Sequence, residues 1–165
     1  MTAISTQNSK PAGFPAATII KAGLIAGTLD ICLAFGYSYI KRGTAPGKVL
    51  QYIANMVFGK QAFTNPVVAG IAGLLVHFAI AMGWTILFFM LYNKLKLYKV
   101  NKVFCGIVYG LIVWALMNTT LLPLWNSKPY VFNAEGALIN AAILIVAIGM
   151  PLSFIAQGHQ LKNNS

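Results

Sequence analysis

The chain has 165 residues, of which 58% are hydrophobic and 8% are charged, whereas roughly a quarter of the residues in soluble domains are charged. Twelve Lys and Arg residues face only two acids, Asp30 and Glu135, which leaves a net charge of +10. This composition excludes an ordinary water-soluble domain. Because the cations stand singly or in short clusters at the ends of apolar runs, the charge favours anionic lipid head groups as partners and argues against nucleic acid.

Four apolar runs are long enough to be transmembrane helices. A helix needs about 20 apolar residues to cross the hydrocarbon layer, where each backbone polar group must find its partner within the helix. The predicted spans are residues 18–40, 66–92, 103–125 and 136–157. Residues 1–17 are expected to be a flexible N-terminal segment without a cleaved signal peptide, and residues 158–165 a tail. The chain is therefore predicted to be an all-α polytopic membrane protein with a single membrane domain.

A shorter segment, residues 46–58, has the pattern of an amphipathic helix. Its apolar face carries Val49, Leu50, Ile53, Met56 and Val57, and its polar face carries Lys48, Gln51 and Asn55. Pro46 suits a first helical turn and Gly59 suits a stop. About 13 residues are too few to cross the bilayer, so an interfacial helix between the first two spans is predicted. Packing against the bundle as a re-entrant element is the alternative.

Basic residues flank the predicted spans on both sides. Four spans place both termini on one side with Lys94, Lys96, Lys99 and Lys102, and place Lys41, Arg42, Lys48, Lys60 and Lys128 on the other. The tight cluster of four lysines favours the first side as cytoplasmic under the positive-inside rule. We therefore expect cytoplasmic termini and an outward interfacial helix. Tyr92 and Tyr98, near the span boundaries, are expected to anchor at the lipid head groups.

Small residues recur at helical spacing in three of the spans. The pairs are Gly23 and Gly27, Gly70 and Gly73, and Gly106 and Gly110. Helices in lipid associate through close backbone contact at such positions. These glycines are predicted to be helix-packing positions within one chain. Alternatively, the same faces could pack between chains in a homo-oligomer. Pro151 is expected to kink the last span because it lacks a backbone N–H.

Asp30 and His77 are the most informative residues of the sequence. An ionisable side chain in the middle of a membrane costs several kcal/mol unless it is paired or hydrated. Asp30 continues the stripe of Gly23 and Gly27, and His77 continues the stripe of Gly70 and Gly73. Asp30 lies ten residues, and His77 eleven residues, from the predicted outer end of its span. The sequence therefore predicts a buried polar pair at roughly 15 Å depth.

Three further polar residues are predicted to form a ladder from the outer surface down to this pair. Asn118 in the third span is expected nearer the surface than Asp30, Asn140 in the fourth span nearer still, and Glu135 at the mouth. The ladder and the pair together are the candidate proton site. A purely structural pair that sets the helix register is an equally weighted alternative.

Enzymatic chemistry is disfavoured, and no cofactor or metal is expected. A single buried His with one Asp has too few ligands for a zinc centre, and His159 is too far from His77 in depth to share a haem. No nucleophile, base and acid set or phosphate-binding loop stands out. Cys32 and Cys105 are expected to be free thiols, because they lie at different depths.

Several short motifs resemble a family of small bacterial inner-membrane proteins, the YagU-like proteins. They are Ala26-Gly27-Thr28-Leu29-Asp30, Val49-Leu50-Gln51-Tyr52-Ile53-Ala54 with Gly59 and Ala62-Phe63, Leu74-Leu75-Val76-His77-Phe78, Gly106 with Tyr109-Gly110, and Pro123-Leu124. The chain departs from the family pattern at Asn55-Met56 and at Thr64-Asn65-Pro66. The resemblance implies a four-helix membrane fold in the bacterial cytoplasmic membrane, and it implies no substrate.

Two functions are compatible with these patterns. The first, which the sequence favours, is a non-catalytic structural or accessory four-helix bundle. The second is a small proton-linked or solute transporter or channel that uses Asp30 and His77. A water-filled cavity around Asp30 that opens toward Asn140 and Glu135 would favour the second function, and dry close packing would favour the first.

Overall fold

The computed structural model describes residues 13–59, 64–121 and 134–163, and the regular elements within these ranges are all helical. The α-helices are α1 (Ala16–Arg42), α2 (Pro46–Phe58), α3 (Pro66–Lys94), α4 (Lys102–Leu116), α5 (Ala134–Leu144) and α6 (Met150–Asn163). A π-helical turn, Met117–Leu121, extends α4, and a second one, Ile145–Gly149, joins α5 to α6. A 3-10 turn, Leu97–Lys99, lies between α3 and α4.

Four helical stretches are long and apolar enough to cross a membrane: α1, α3, Lys102–Thr120 and Ala134–Leu161. The prediction of an all-α chain with four such helices is confirmed for the described residues. The last helix continues to Asn163, so the predicted tail from residue 158 is helical over most of its length. Residues 122–125 of the third predicted span lie outside the described residues.

The helix ends follow from local chemistry. Gly43 adopts φ +63°, a left-handed conformation that favours glycine, and its backbone N–H caps the last turn of α1. Pro46 and Pro66 each begin a helix, where a missing N–H costs nothing. The Asn65 side chain accepts a hydrogen bond from the N–H of Val67 at 2.8 Å, which satisfies one of the free donors of α3.

Side-chain contacts show which helix ends lie together. Phe14, just before α1, packs against Phe89 and Tyr92 at the end of α3 and against His159 near the end of α6. We call this the Phe14 end of the bundle. At the other end, the Glu135 end, an ion pair joins Lys41 of α1 to Glu135 of α5. The start of α1 and the ends of α3 and α6 therefore share one side, as a chain of four crossings requires.

Glycines of α1 lie directly against α3. A Cβ added at Gly23 would stand 2.8 Å from the Met82 side chain, and one at Gly27 would stand 2.9 Å from the Phe78 ring. Gly73 contacts the backbone carbonyl of Leu50, so α2 and α3 approach backbone to backbone. These contacts leave no room for a side chain.

The third and fourth long helices pack in the same manner. Gly106 of α4 lies against Gly149, and Gly110 lies against the backbone of Ile145. Gly70 is the exception among the predicted packing positions, because no atom lies within 4 Å of where its Cβ would stand. Gly149 is a packing glycine that sequence reasoning did not assign to this role.

The π-helical turn Ile145–Gly149 lies directly before Met150 and Pro151. Proline lacks a backbone N–H, and its ring collides with the carbonyl of the preceding turn in a regular α-helix. A π-helical turn is wider and relieves that collision. The predicted interruption at Pro151 thus takes the form of one widened turn, which also brings Gly149 against α4.

An aromatic core fills the Phe14 end. The rings of Phe88 and Tyr109 lie 4.8 Å apart, and those of Phe88 and Tyr92 lie 5.6 Å apart. The Tyr109 hydroxyl donates a 2.5 Å hydrogen bond to the Trp84 carbonyl. Tyr92 is only 2% exposed, so the expectation that it anchors at the head groups is wrong. Its ring has neighbours from three elements, which a single sequence position does not reveal.

Candidate functional site

A cavity of about 240 Å³ lies between α1, α2, α3, α4 and the α5 segment. We call it the inner cavity. The side chains in its lining that carry polar atoms are Asp30, Tyr52, His77 and Trp84. The rest of the lining is apolar: Ile31, Ala34, Val49, Ile53, Met56, Ile80, Ala81, Val113, Met117, Leu144 and Ile148. The two ionisable groups therefore stand in a largely apolar chamber.

Asp30 and His77 reach the inner cavity from facing helices. The ring of His77 makes a 2.9 Å hydrogen bond between its Nε2 and the Gly27 carbonyl oxygen, and the Asp30 carboxylate is close enough for a direct electrostatic interaction with that ring. Gly27 precedes Asp30 by about one helical turn, and the absence of a side chain at Gly27 lets α3 approach. The carboxylate and the imidazole are thus neighbours at the same level of the bundle.

The hydrogen bond to Gly27 identifies the proton on His77. A carbonyl oxygen only accepts, so Nε2 must carry the hydrogen and donate it. The structure thereby gives Nε2 a fixed role in the contact between α3 and α1.

Asp30 itself accepts no hydrogen bond from any residue within the ranges the structure covers. It is half-buried, and the side of its carboxylate that is not occupied by His77 faces the cavity. The groups that face it from the other helices are Tyr52 on α2 and the apolar side chains of α4 and α5. No second acid shares this chamber.

A larger cavity of about 480 Å³ lies toward the Glu135 end. We call it the outer cavity. It is lined by Ala34, Tyr37, Ser38, Arg42, Thr44, Lys48, Val49, Tyr52 and Asn140. Ala34, Val49 and Tyr52 also line the inner cavity, so the two cavities adjoin at these side chains.

The five residues of the predicted pair and ladder lie in four different environments. Asp30 and His77 share the inner cavity, and Asn140 lines the outer cavity. Glu135 lies at the outer end, where it pairs with Lys41. The amide of Asn118 instead donates a 2.8 Å hydrogen bond to the Trp114 carbonyl of its own helix, and it lines neither cavity. A polar side chain in a helix can always bond the preceding turn, and that local partner removes Asn118 from the ladder.

Sequence reasoning missed most of the outer cavity. From the sequence, Arg42 indicates only the sidedness of the chain, Lys48 indicates sidedness and the polar face of α2, and Tyr37 is given no role. One signal was available, because Val49, Tyr52 and Met56 follow one another at three- and four-residue spacing on a single face of α2. That face is the wall of the inner cavity.

The site is a carboxylate and an imidazole beside a largely apolar cavity. Among the residues the structure describes, no group of three His, Cys, Asp or Glu side chains lies close enough to hold a metal ion. Cys32 and Cys105 are both free, and neither stands beside Asp30 in the lining of the inner cavity. A carboxylate next to an imidazole can exchange protons, and the other lining side chains with polar atoms are Tyr52 and Trp84.

Comparisons with known proteins add no relative. No model of a protein family, no curated protein and no solved structure matches the chain. The resemblance to the YagU-like proteins therefore stays a prediction, and the function is argued from the geometry of the two cavities.

Proposed function

We propose that the chain is a multi-pass membrane protein that acts as a small proton-linked transporter or channel, with Asp30 and His77 as its proton-binding site. The observation that carries this proposal is that both ionisable groups line one cavity of about 240 Å³, which adjoins a second cavity lined by Asn140. Dry close packing around Asp30 would have favoured an accessory role. The chain instead leaves space beside its one mid-helix acid.

The energetics of burial support this assignment. A carboxylate in hydrocarbon costs several kcal/mol and is retained where it faces a cavity, a partner or a pathway. Asp30 faces both a cavity and an imidazole. The pair therefore places two groups that can hold a proton side by side in one cavity.

The four apolar helices support a placement in the membrane. We place the Phe14 end, with Lys94, Lys96, Lys99 and Lys102, on the cytoplasmic side because of this lysine cluster. α2 then lies at the outer interface, with Leu50 packed against Gly73 of α3. The resemblance to YagU-like proteins supports the bacterial inner membrane as location. A homo-oligomer, through exposed apolar helix faces, would widen the narrow pathway of four helices.

The proposal is tested by proton flux in liposomes that enclose a pH-sensitive dye. Full-length protein is reconstituted, a pH gradient is imposed, and valinomycin with potassium removes the opposing voltage. We expect flux above that of empty vesicles, and we expect Asp30→Asn to reduce it to the empty-vesicle rate. Glu135→Gln is the matched control and should keep the wild-type flux. Glu135 is the other acid of the chain, and it lines neither cavity.

Two results would contradict the proposal. The first is wild-type flux no faster than that of empty vesicles when the protein is shown to be folded. The second is an Asp30→Asn protein with wild-type flux.

A structural or accessory bundle is the second candidate, and one observation favours it. The Nε2 of His77 is bound to the Gly27 backbone, which is how a register-setting side chain would behave. Under this function Asp30→Asn would fail to accumulate in the membrane, while proton flux would be absent from the wild type as well. The accumulation of the variant, measured by membrane immunoblot, therefore separates the two candidates.

A further inference from the structure

The outer cavity carries positive charge without a compensating acid. Arg42 and Lys48 both line it, and neither forms an ion pair with any residue that the structure describes. Only two acids exist in the chain. Glu135 is paired with Lys41, and Asp30 lies in the inner cavity. An anion that enters the outer cavity therefore meets two cations and no fixed negative charge.

The rest of the outer lining suits the recognition of an anionic group. Tyr37, Ser38 and Thr44 supply hydroxyl groups, and Asn140 supplies an amide. Hydroxyl and amide donors add hydrogen bonds to an oxyanion, and bonds from a guanidinium or ammonium group are the strongest of this kind. Arg42 can bind a carboxylate through two parallel bonds, which fixes its orientation.

The inner cavity is apolar, in contrast to the charged outer cavity. Beyond the junction at Ala34, Val49 and Tyr52, its lining is almost wholly apolar. Its volume of about 240 Å³ exceeds the cavity of about 150 Å³ that accepts benzene in an engineered protein. The space therefore fits one ring with a short substituent, or an alkyl group of similar size.

We propose that the two cavities together bind a small amphipathic organic anion, with its carboxylate between Arg42 and Lys48 and its apolar body in the inner cavity. The inference deepens the proposed function and rests on it for the transport step, because it names the class of solute that the proton site would accompany. The carboxylate stays at the outer end because the Asp30 carboxylate would repel it. The apolar body of the anion then lies beside Asp30 and His77.

The test measures binding rather than transport. Full-length protein in phosphatidylcholine nanodiscs is titrated calorimetrically with hydrocinnamate, an aromatic carboxylate with a short linker. Hydrocinnamyl alcohol, phenylpropylamine and acetate are the comparison probes. We expect the acid to bind at least about tenfold more tightly than each of them. The alcohol and the amine lack the carboxylate, whose hydrogen bonds to charged groups contribute at least that factor. Acetate lacks the ring, whose burial contributes at least that factor. Equal binding of the alcohol would overturn the anion site, and equal binding of acetate would overturn the apolar body.

A pair of variants assigns the charge. Arg42→Gln combined with Lys48→Gln should weaken hydrocinnamate binding by about tenfold or more. Lys94→Gln combined with Lys99→Gln is the matched control, because it removes two exposed cations near the Phe14 end, and it should bind as the wild type does. Unchanged affinity in the first pair, with the protein folded, would overturn the proposal.

Two further arms separate the alternatives. Asp30→Asn should still bind hydrocinnamate. If the wild type binds hydrocinnamate but shows no proton flux, the anion site stands and the transport function does not. If the wild type shows proton flux but no binding, the transport function stands and the anion site does not. Nanodiscs that contain phosphatidylglycerol test the source of the anion. Undiminished hydrocinnamate binding supports a soluble solute, and displacement by the lipid would overturn that assignment in favour of a lipid head group.

Discussion

At the scale of single residues, His77 combines two roles in one ring. Its Nε2 donates to the Gly27 carbonyl at 2.9 Å and so links α3 to α1, while Asp30 lies within electrostatic reach. The close approach of α3 that this hydrogen bond needs requires a glycine at position 27, since a side chain there would meet the Phe78 ring. The residue that carries the candidate chemistry is therefore also held in place by the packing of the bundle.

This bond has a measurable contribution to stability. His77→Phe keeps a ring and removes the donor, so we expect it to lower the free energy of unfolding by about 0.6 kcal/mol, and by no more than about 2 kcal/mol, as for other hydrogen bonds between membrane helices. The measurement is unfolding in mixed micelles of rising dodecyl sulfate content. Tyr109→Phe is the matched control, because it removes the 2.5 Å bond to the Trp84 carbonyl elsewhere on α3. If Tyr109→Phe destabilises the protein and His77→Phe leaves it unchanged, the bond to Gly27 is not formed.

At the scale of elements, α2 closes the inner cavity and depends on one glycine to do so. Ala54 is fully buried at its contact face, and Leu50 brings its backbone carbonyl against Gly73 of α3. Tyr52 and Ile53 then reach the cavity lining. The shape of the candidate site is set by how closely two backbones approach.

We expect Gly73→Ala to destabilise the protein by about 1–3 kcal/mol, because the new methyl group must push α2 away from α3. Gly83→Ala, in the same helix but with no atom within 4 Å of the new Cβ, should cause no loss and can add up to about 1 kcal/mol through helix propensity. Micelle unfolding gives the stability, and limited proteolysis within α2 reports its detachment. Equal effects of the two substitutions would show that α2 does not pack closely at Gly73.

At the scale of the whole molecule, basic residues lie at both ends of the bundle. The Phe14 end gathers the start of α1 with the ends of α3 and α6. The Glu135 end gathers the end of α1 with the start of α5. Both cavities lie between the middle of the bundle and the Glu135 end, so the candidate pathway opens on the side opposite the lysine cluster.

Sidedness can be measured with an impermeant thiol reagent on intact cells. In a Cys32→Ala, Cys105→Ala background, Lys48→Cys should react from outside, and Lys96→Cys should react only after the membrane is permeabilised. Both positions are exposed in the structure, so lack of reaction reflects the membrane and not burial. If both cysteines react from the outside, α3 does not cross the membrane. If only Lys96→Cys reacts from the outside, the orientation is the reverse of the proposed one.

Features that depend on local composition could be predicted from the sequence alone. Apolar runs of about 20 residues favour long helices, because a helix satisfies its backbone hydrogen bonds within one segment. Pro46 and Gly59 similarly bound α2 at the predicted residues. Helical spacing alone also put Asp30 and His77 on the stripes of Gly27 and Gly73, and those stripes meet other helices in the structure.

Only the tertiary structure decided where space remains. A cavity is the volume left between side chains that are distant in sequence, so neither its size nor its lining follows from any one helix. The same reason explains why Arg42 and Lys48 line one chamber, why Tyr92 is buried and why Gly149 meets Gly106. Asn118 shows the reverse case, in which a local backbone partner overrides an expected long-range one.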